Sequence, residues 1–566
     1  MLERGSGNPE RVRELCRRLR PILGPQMDRI FLAYSLEDVD GKRQIETYLE
    51  ALAVKHIPMR LDVSSIDLVP PGPNALTGPY KVGEVVYAGK PIAPFGIREQ
   101  EWIQHVGVFG RSGAGKTNLG FEIFRQLLLH DKPVLVFDWK RNYRDLLVRP
   151  EFMDVEVYTV GRDVAPFYFN PLIPPPGISP VSWLKQIIEV VAAAYCLGNG
   201  VLYLLQTTLD MVYNESGVYA GEVDRWPTFR EVLVKAREYN ARGRESAWLS
   251  STLRALSSLC FGQMDDTLNT PHDQSQTIGH MLRRSVILEC DALGQADKTF
   301  LISALLLYIH HYRMAEGERE VFKHAIMIEE AHHILANERT SLIGGQSVME
   351  ITFREIREFG EAIIILDQHP SKIAISALGN TYTTICLNLK HAKDVSAMSQ
   401  AMLLENDEKD LLGSLEVGQA VVKLQGRAPR PFLIEIPEFE LTKGTVTDNA
   451  IRLKMGLLSL RNEGQEMAHA VEVGDDGTRH VVESPQKPVT GEWALLQDII
   501  SYPDSGVAAR YKRLGISVRQ GQKLKMRAVA EGLLAEVEEH TLTGRLVVLR
   551  LTEKGRQSWE KSGKAV

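Results

Sequence analysis

The 566-residue chain has five cysteines, Cys16, Cys196, Cys260, Cys290 and Cys386, spread far apart and without a CxxC pair. That spacing argues against a structural zinc site and against a disulfide framework, and a reducing, cytoplasmic setting is the expectation. Long apolar runs are missing as well. Trp183–Tyr195 and Phe300–Tyr308 fall short of the roughly 20 residues a membrane helix needs, and the N-terminus lacks a secretory-signal pattern. No membrane partner is expected. An excess of positive charge is also absent, with 66 Lys+Arg against 72 Asp+Glu and a formal charge of −6. Any nucleic-acid contact must therefore use a local basic surface.

The length suggests three or four units at about 150 residues per domain. Residues 1–70 read as a small mixed unit, with a helix-like stretch to Leu23, an apolar strand at Arg29–Ala33 and an amphipathic helix from Lys42 to Leu52. The run Val69-Pro70-Pro71-Gly72-Pro73 cannot continue a helix or strand, because proline removes a donor and fixes φ. Residues 71–104 then read as a linker with a β segment. From 105 to 440 short apolar runs alternate with amphipathic segments, the pattern of an α/β core with a mostly parallel sheet covered on both faces. Its expected strands are His105–Phe109, Val134–Asp138, Val155–Val160, Val286–Cys290, Ala325–Glu329, Ala362–Leu366 and Thr384–Leu389. A helical insertion occupies about 182–281, and its leucines read as core. Residues 441–490 are polar and read as a linker. In 491–566, expected helices at Leu495–Ile500, Gly506–Leu514 and Gln522–Glu531 and a strand at Leu546–Leu551 resemble a winged helix-turn-helix.

What is present is a phosphate-binding loop. The strand ending at Phe109 runs into Gly110-Arg111-Ser112-Gly113-Ala114-Gly115-Lys116-Thr117 and then an amphipathic helix, which fits GxxxxGK[ST] in the context the motif requires. Glycines let successive N–H groups point inward as an anion nest, and the helix N-terminus adds its dipole. Lys116 is expected on the β- and γ-phosphates of ATP and the Thr117 hydroxyl on Mg²⁺. A second acidic element follows at Ala325-Ile326-Met327-Ile328-Glu329-Glu330-Ala331-His332, four apolar strand residues ending in two carboxylates. Glu329 is assigned to the metal and Glu330 to polarising water. The neighbouring His332 and His333 do not form HExxH and read as packing residues rather than zinc ligands.

The next strand ends at Asp367-Gln368-His369-Pro370, where Gln368 is placed to sense the γ-phosphate. Upstream, Arg354 and Arg357 lie at i and i+3 on one helix face. Either could stabilise phosphoryl transfer in the next subunit, or pair locally with Glu355, Glu358 or Glu361.

Taken together these motifs resemble the HerA group of the HerA/FtsK superfamily of ring-forming motor ATPases. The residues that carry the likeness are Gly110–Thr117 with Asn118, Phe137-Asp138-Trp139-Lys140, Phe169-Asn170-Pro171-Leu172, Ile328–His332, Arg354–Gly360 and Gln368-His369-Pro370-Ser371. The resemblance implies a RecA-like core, nucleotide contacts that include Asn118 and Asp138, a homohexameric ring and translocation of duplex DNA. It also implies a partner that is commonly a nuclease, or another effector enzyme in prokaryotic antiviral systems. Two features depart from the pattern. Only about 35 residues separate the proline-rich break from the phosphate loop, where better-known members carry a β-barrel, and Arg141-Asn142 stand where a glutamate often follows.

In the C-terminal segment Arg510, Lys512, Arg513, Arg519, Lys523, Lys525 and Arg527 concentrate on the expected helix-turn-helix and suit phosphate contacts. Lys390 and Lys393, just after a strand, are candidates for the pore. The leading expectation is an ATPase motor or helicase acting on DNA. A nucleotide-gated scaffold for a partner enzyme and a conjugation or secretion ATPase are the alternatives.

Overall fold

The computed structural model describes residues 8–57, 68–271, 275–336, 347–406 and 408–456, together with positions beyond 494 that include 532–541 and 544–552. The chain divides into two units, Met1–Leu458 and Ser459–Val566.

The first unit opens with three helices, Pro9–Leu23, Gln26–Leu36 and Val39–His56. The strand expected at Arg29–Ala33 is thus helical. Met27 and Tyr34 are seven residues apart, and with Ile30 and Phe31 between them they form a 3.6-residue stripe against Val12, Leu19 and Leu49. Three consecutive apolar residues had masked that period. Among the described residues the N-terminal segment is therefore helical rather than mixed.

Eleven strands form one sheet: β1 Tyr80–Tyr87, β2 Lys90–Ile97, β3 Val106–Phe109, β4 Val134–Asp138, β5 Glu156–Thr159, β6 Val286–Glu289, β7 His324–Glu329, β8 Glu361–Asp367, β9 Thr383–Leu387, β10 Gln419–Leu424 and β11 Ala428–Glu435. Their order is β2-β1-β11-β10-β9-β3-β8-β7-β4-β6-β5. From β9 to β5 every pairing is parallel, and from β9 to β2 every pairing is antiparallel. The expected strands all lie in the parallel part, where β3, β4, β6, β7, β8 and β9 are buried along their length. Residues 71–104 are not a separate linker: β1 and β2 pair through the turn Ala88-Gly89 and join the same sheet beside β11. That turn has φ of 50° and 72°, as a two-residue hairpin requires, and Gly89 accepts it without strain.

Between β5 and β6 the insertion forms helices from Pro180–Ala194 to Ser275–Met281. Trp183, Ile187, Leu205, Leu209 and Leu256 share one core with Phe300, Leu301 and Leu305 of the helix Gln295–Glu316. Residues 441–490 were expected as linker, yet Asp448–Lys454 is a helix with Ile451 buried. In the second unit β12 Leu534–Thr541 pairs with β13 Gly544–Leu551, and Leu495, Ile499, Ala528, Leu534 and Leu549 make a small core. Most of the three helices expected there lie outside the described residues, as do Lys512, Arg513, Arg519, Lys523 and Arg527. Arg510 is fully buried, so it belongs to the interior rather than to a phosphate-contacting face.

At the start of β8 the buried Glu361 accepts from Arg313 Nε at 2.5 Å and pairs with His324 Nδ1 at 2.6 Å. Burial opposes its ionisation, but His324 and Arg313 outweigh that and hold the carboxyl down at about 2. A depressed carboxylate stabilises the fold above its unfolded value and loses that contribution as pH falls through its folded value. Urea-unfolding midpoints should therefore fall between about pH 4.5 and 2, with Glu361 contributing on the order of 3 kcal/mol. Glu361→Gln should be less stable at pH 7, because the buried Arg313 loses one of its two carboxylate partners and keeps only Glu316, and should show a shallower acid decline.

Candidate nucleotide-binding site

β3 is buried and delivers the chain to the loop Gly110–Lys116, which the neighbouring strands hold on both sides. Gly110 N–H donates to Asp367 O at 3.1 Å and Arg111 N–H to Asn388 O at 2.7 Å. Gly113 and Gly115 have φ of 77° and 108°, values that only glycine takes without strain, and Gly115 starts the helix Lys116–Leu129. The first-turn N–H groups have no intrahelical acceptor and are free to bind an anion. Lys116 Nζ donates to Gly110 O at 2.6 Å and Arg111 O at 3.1 Å, folded over the loop, and burial lowers its pKa.

β7 brings the acidic pair to the same end of the sheet. Burial, followed by the charge of Asp138, pushes the Glu329 carboxyl up. Glu330 turns the chain with φ 51° and ψ 43°. Its N–H donates to Leu366 O at 2.9 Å, so the chain leaving β7 stays tied to β8. Its Oε1 accepts from Lys140 Nζ at 2.7 Å and from the Gln368 amide. Beside it, His332 N–H donates to Asp367 Oδ2 at 2.7 Å and the ring Nδ1 lies 2.9 Å from the same oxygen.

Ser112, Gly113, Gly115, Lys116, Thr117, Asn118, Glu329, Glu330 and Gln368 line one cavity of about 450 Å³. Thr117 and Glu329 offer hydroxyl and carboxylate oxygens there, the donor type a hard divalent cation takes. Among the described residues one cluster has ligand atoms close enough to share an ion, Glu330, His332 and Asp367. Within it His332 and Asp367 bond each other, and Glu330 is held by Lys140 and Gln368.

Three expected contacts sit elsewhere. Asp138 is fully buried and outside the cavity wall. It accepts N–H bonds from Lys140 at 3.1 Å and Tyr143 at 2.9 Å, so it shapes the turn after β4. Arg354 ends the helix Val348–Glu355, and Arg357 lies in the turn Ile356–Phe359, both ahead of β8. Seven residues of β8, about 20 Å of strand, separate them from Gln368. Neither arginine reaches the phosphate loop of its own chain. Their segment is tied to β3 by His105: its Nδ1 accepts from Ile363 N–H at 3.1 Å, so Nε2 carries the proton and donates to Phe353 O at 2.7 Å. Burial keeps that ring neutral, with its pKa down to about 4.

Asn118 lines the cavity, but its amide is committed to a strap formed by 437–456. Nδ2 donates to Pro437 O at 2.8 Å and Oδ1 accepts from Phe439 N–H at 2.6 Å. Asp145 accepts from the N–H groups of Gly444, Thr445 and Val446 at 2.7, 3.0 and 3.0 Å, and Asp448 pairs with Arg144 at 2.6 Å. The strap carries Lys443 to the cavity wall. Lys140, Asn142 and Val417 line it too. Lys140 lay within a motif already noted, whereas Lys443 and Val417 had no local signal. Asp145→Ala removes the acceptor of three strap amides, bonds of about 1.5–3 kcal/mol each to a charged group. Hydrogen exchange over 440–450 should accelerate by about 10²-fold or more; unchanged exchange would show that Asn118 and Asp448 hold the strap without Asp145.

Residues 80–305 match the family model described as the central domain of helicase HerA. A DNA double-strand break repair helicase HerA from Sulfolobus acidocaldarius is 20% identical over 383 residues, 64% of this chain and 70% of that protein. Among solved structures, VirB4 of Thermoanaerobacter pseudethanolicus aligns with a TM-score of 0.50 at 16% identity, covering 64% of this chain and 97% of that one. Plasmid coupling protein TrwB in complex with a non-hydrolysable ATP analogue aligns at 0.48 and 13% identity, over 65% of this chain and 92% of that one. The VirB4 likeness supports the fold, a RecA-like parallel sheet around a phosphate loop. Motif order, sheet topology and the match over residues 80–305 make the core of this chain similar to the HerA central domain, on a RecA-like fold that carries a phosphate loop.

Proposed function

We propose that this chain is an ATP-hydrolysing, Mg²⁺-dependent subunit of a homohexameric ring that translocates along or unwinds duplex DNA together with an effector nuclease. The observation that carries this reading is a divided site. Lys116, Thr117, Glu329, Glu330 and Gln368 converge on one cavity, while Arg354 and Arg357 stand at the opposite end of β8. A neighbour in a ring would supply that missing arginine. Arg357 is exposed and, among the described residues, makes no ion pair, as an arginine destined for another subunit's phosphates should.

In this reading the phosphate-loop N–H groups and Lys116 bind the β- and γ-phosphates, and Glu330 takes the proton of the attacking water. Gln368 orients Glu330 and that water. Thr117 and Glu329 hold Mg²⁺, which supplies charge neutralisation at the phosphate oxygens when bound. Among the described residues no helix is long and apolar enough to cross a membrane.

Steady-state ATP hydrolysis with and without duplex DNA, beside particle mass by light scattering, tests the proposal. Six-subunit particles with DNA-stimulated hydrolysis support a motor. Hydrolysis indifferent to DNA would instead leave a nucleotide-gated scaffold.

A further inference from the structure

A second cavity, of about 380 Å³, shares Lys140, Glu330 and Gln368 with the nucleotide cavity. Its remaining wall includes Lys298, Lys372 and the imidazoles of His332, His333 and His369, so Glu330 is the one carboxylate among its lining residues. Lys298 is held in place, donating to Trp139 O at 3.2 Å and lying 5.2 Å from the Trp139 ring centre. Lys372 is exposed and has no ion-pair partner among the described residues. Three lysines around one open cavity suit a phosphate ligand.

The shared wall gives such a ligand a route to the chemistry. Lys140 has a side chain 57% exposed and holds Glu330, which is 12% exposed, through Oε1 at 2.7 Å. A carboxylate oxygen engaged by an ammonium group and by the Gln368 amide is a poor acceptor for a water proton. A phosphate in the second cavity competes for the same ammonium group. We propose that this cavity binds a phosphodiester of the nucleic-acid backbone, and that binding draws Lys140 off Glu330 and so releases the carboxylate for hydrolysis.

This inference rests on the DNA-motor reading, and the test separates the two. Hydrolysis is measured for the full chain, for Lys140→Gln and for Lys372→Ala, without DNA and across a titration of duplex DNA at several salt concentrations. Thermal melting confirms that each variant folds. Lys140→Gln is expected to raise hydrolysis without DNA by about tenfold, the effect of removing about 1.4 kcal/mol of restraint, and to flatten the response to DNA. Lys372→Ala should require several-fold more DNA and lower the salt slope of DNA binding by about one. If the unaltered chain ignores DNA, the motor reading itself fails. If the unaltered chain responds but Lys140→Gln stays low without DNA and responds fully, only the clamp fails. Loss of hydrolysis by Lys140→Gln under both conditions would assign Lys140 to the nucleotide and overturn the inference. Normal DNA affinity and salt slope in Lys372→Ala would remove the phosphodiester from the second cavity.

Discussion

Lys116→Ala is expected to lower kcat/KM for ATP by about 10³-fold or more, with affinity for a non-hydrolysable analogue falling in parallel, since a buried charge-assisted contact to phosphate carries several kcal/mol. The ammonium group already stands over the loop, donating to Gly110 O at 2.6 Å. Burial favours its neutral form while Glu330 and Asp367 oppose that. An arriving phosphate stabilises the charged form, so binding and ionisation reinforce each other. Lys116→Arg should not rescue the loss, because a planar guanidinium does not fit where a compact ammonium bridges two loop carbonyls. Calorimetric titration reads the affinity directly, and retention within threefold would remove Lys116 from the site.

Glu330→Gln should reduce kcat by about 10³-fold with little change in KM, at the strong end of what a positioned base contributes. The amide keeps the shape of the carboxylate but cannot take a proton. Glu329→Gln is expected to behave differently, raising the Mg²⁺ concentration for half-maximal rate, because this buried carboxylate faces the same cavity as Thr117. Single-turnover hydrolysis under saturating ATP, repeated across a Mg²⁺ titration, separates the two. Rescue of Glu330→Gln by Mg²⁺ would exchange the two assignments.

The parallel strands were legible because each is a short apolar run bounded by turn signals, as Val134–Asp138 and Ala325–Glu329 illustrate. Strands β1, β2, β10 and β11 were harder to see. Lys90–Ile97 contains two prolines, which argue against a strand in sequence but are tolerated at its place on the sheet edge, where missing N–H donors cost little. The helix at Gln26–Leu36 carries a strand-like signal because Ile30, Phe31 and Leu32 are contiguous, although only one side of that stretch packs. Asp138 and Asn118 were expected at the nucleotide, but Asp138 accepts from N–H groups of the turn that follows it, and Asn118 bonds backbone groups of Pro437 and Phe439.

The sequence by itself determined the phosphate loop, the acidic strand end and the α/β core, because these depend on local spacing: glycines where the backbone turns, apolar runs where strands are buried, charge at their ends. Only the tertiary structure decided which groups share a cavity. Lys140 meets Glu330 through the pairing of β4 beside β7, Lys443 arrives on a strap held by Asp145, and Arg354 and Arg357 are kept away from their own phosphate loop by the length of β8. These relations are set by packing between distant segments, for which residue spacing carries no signal.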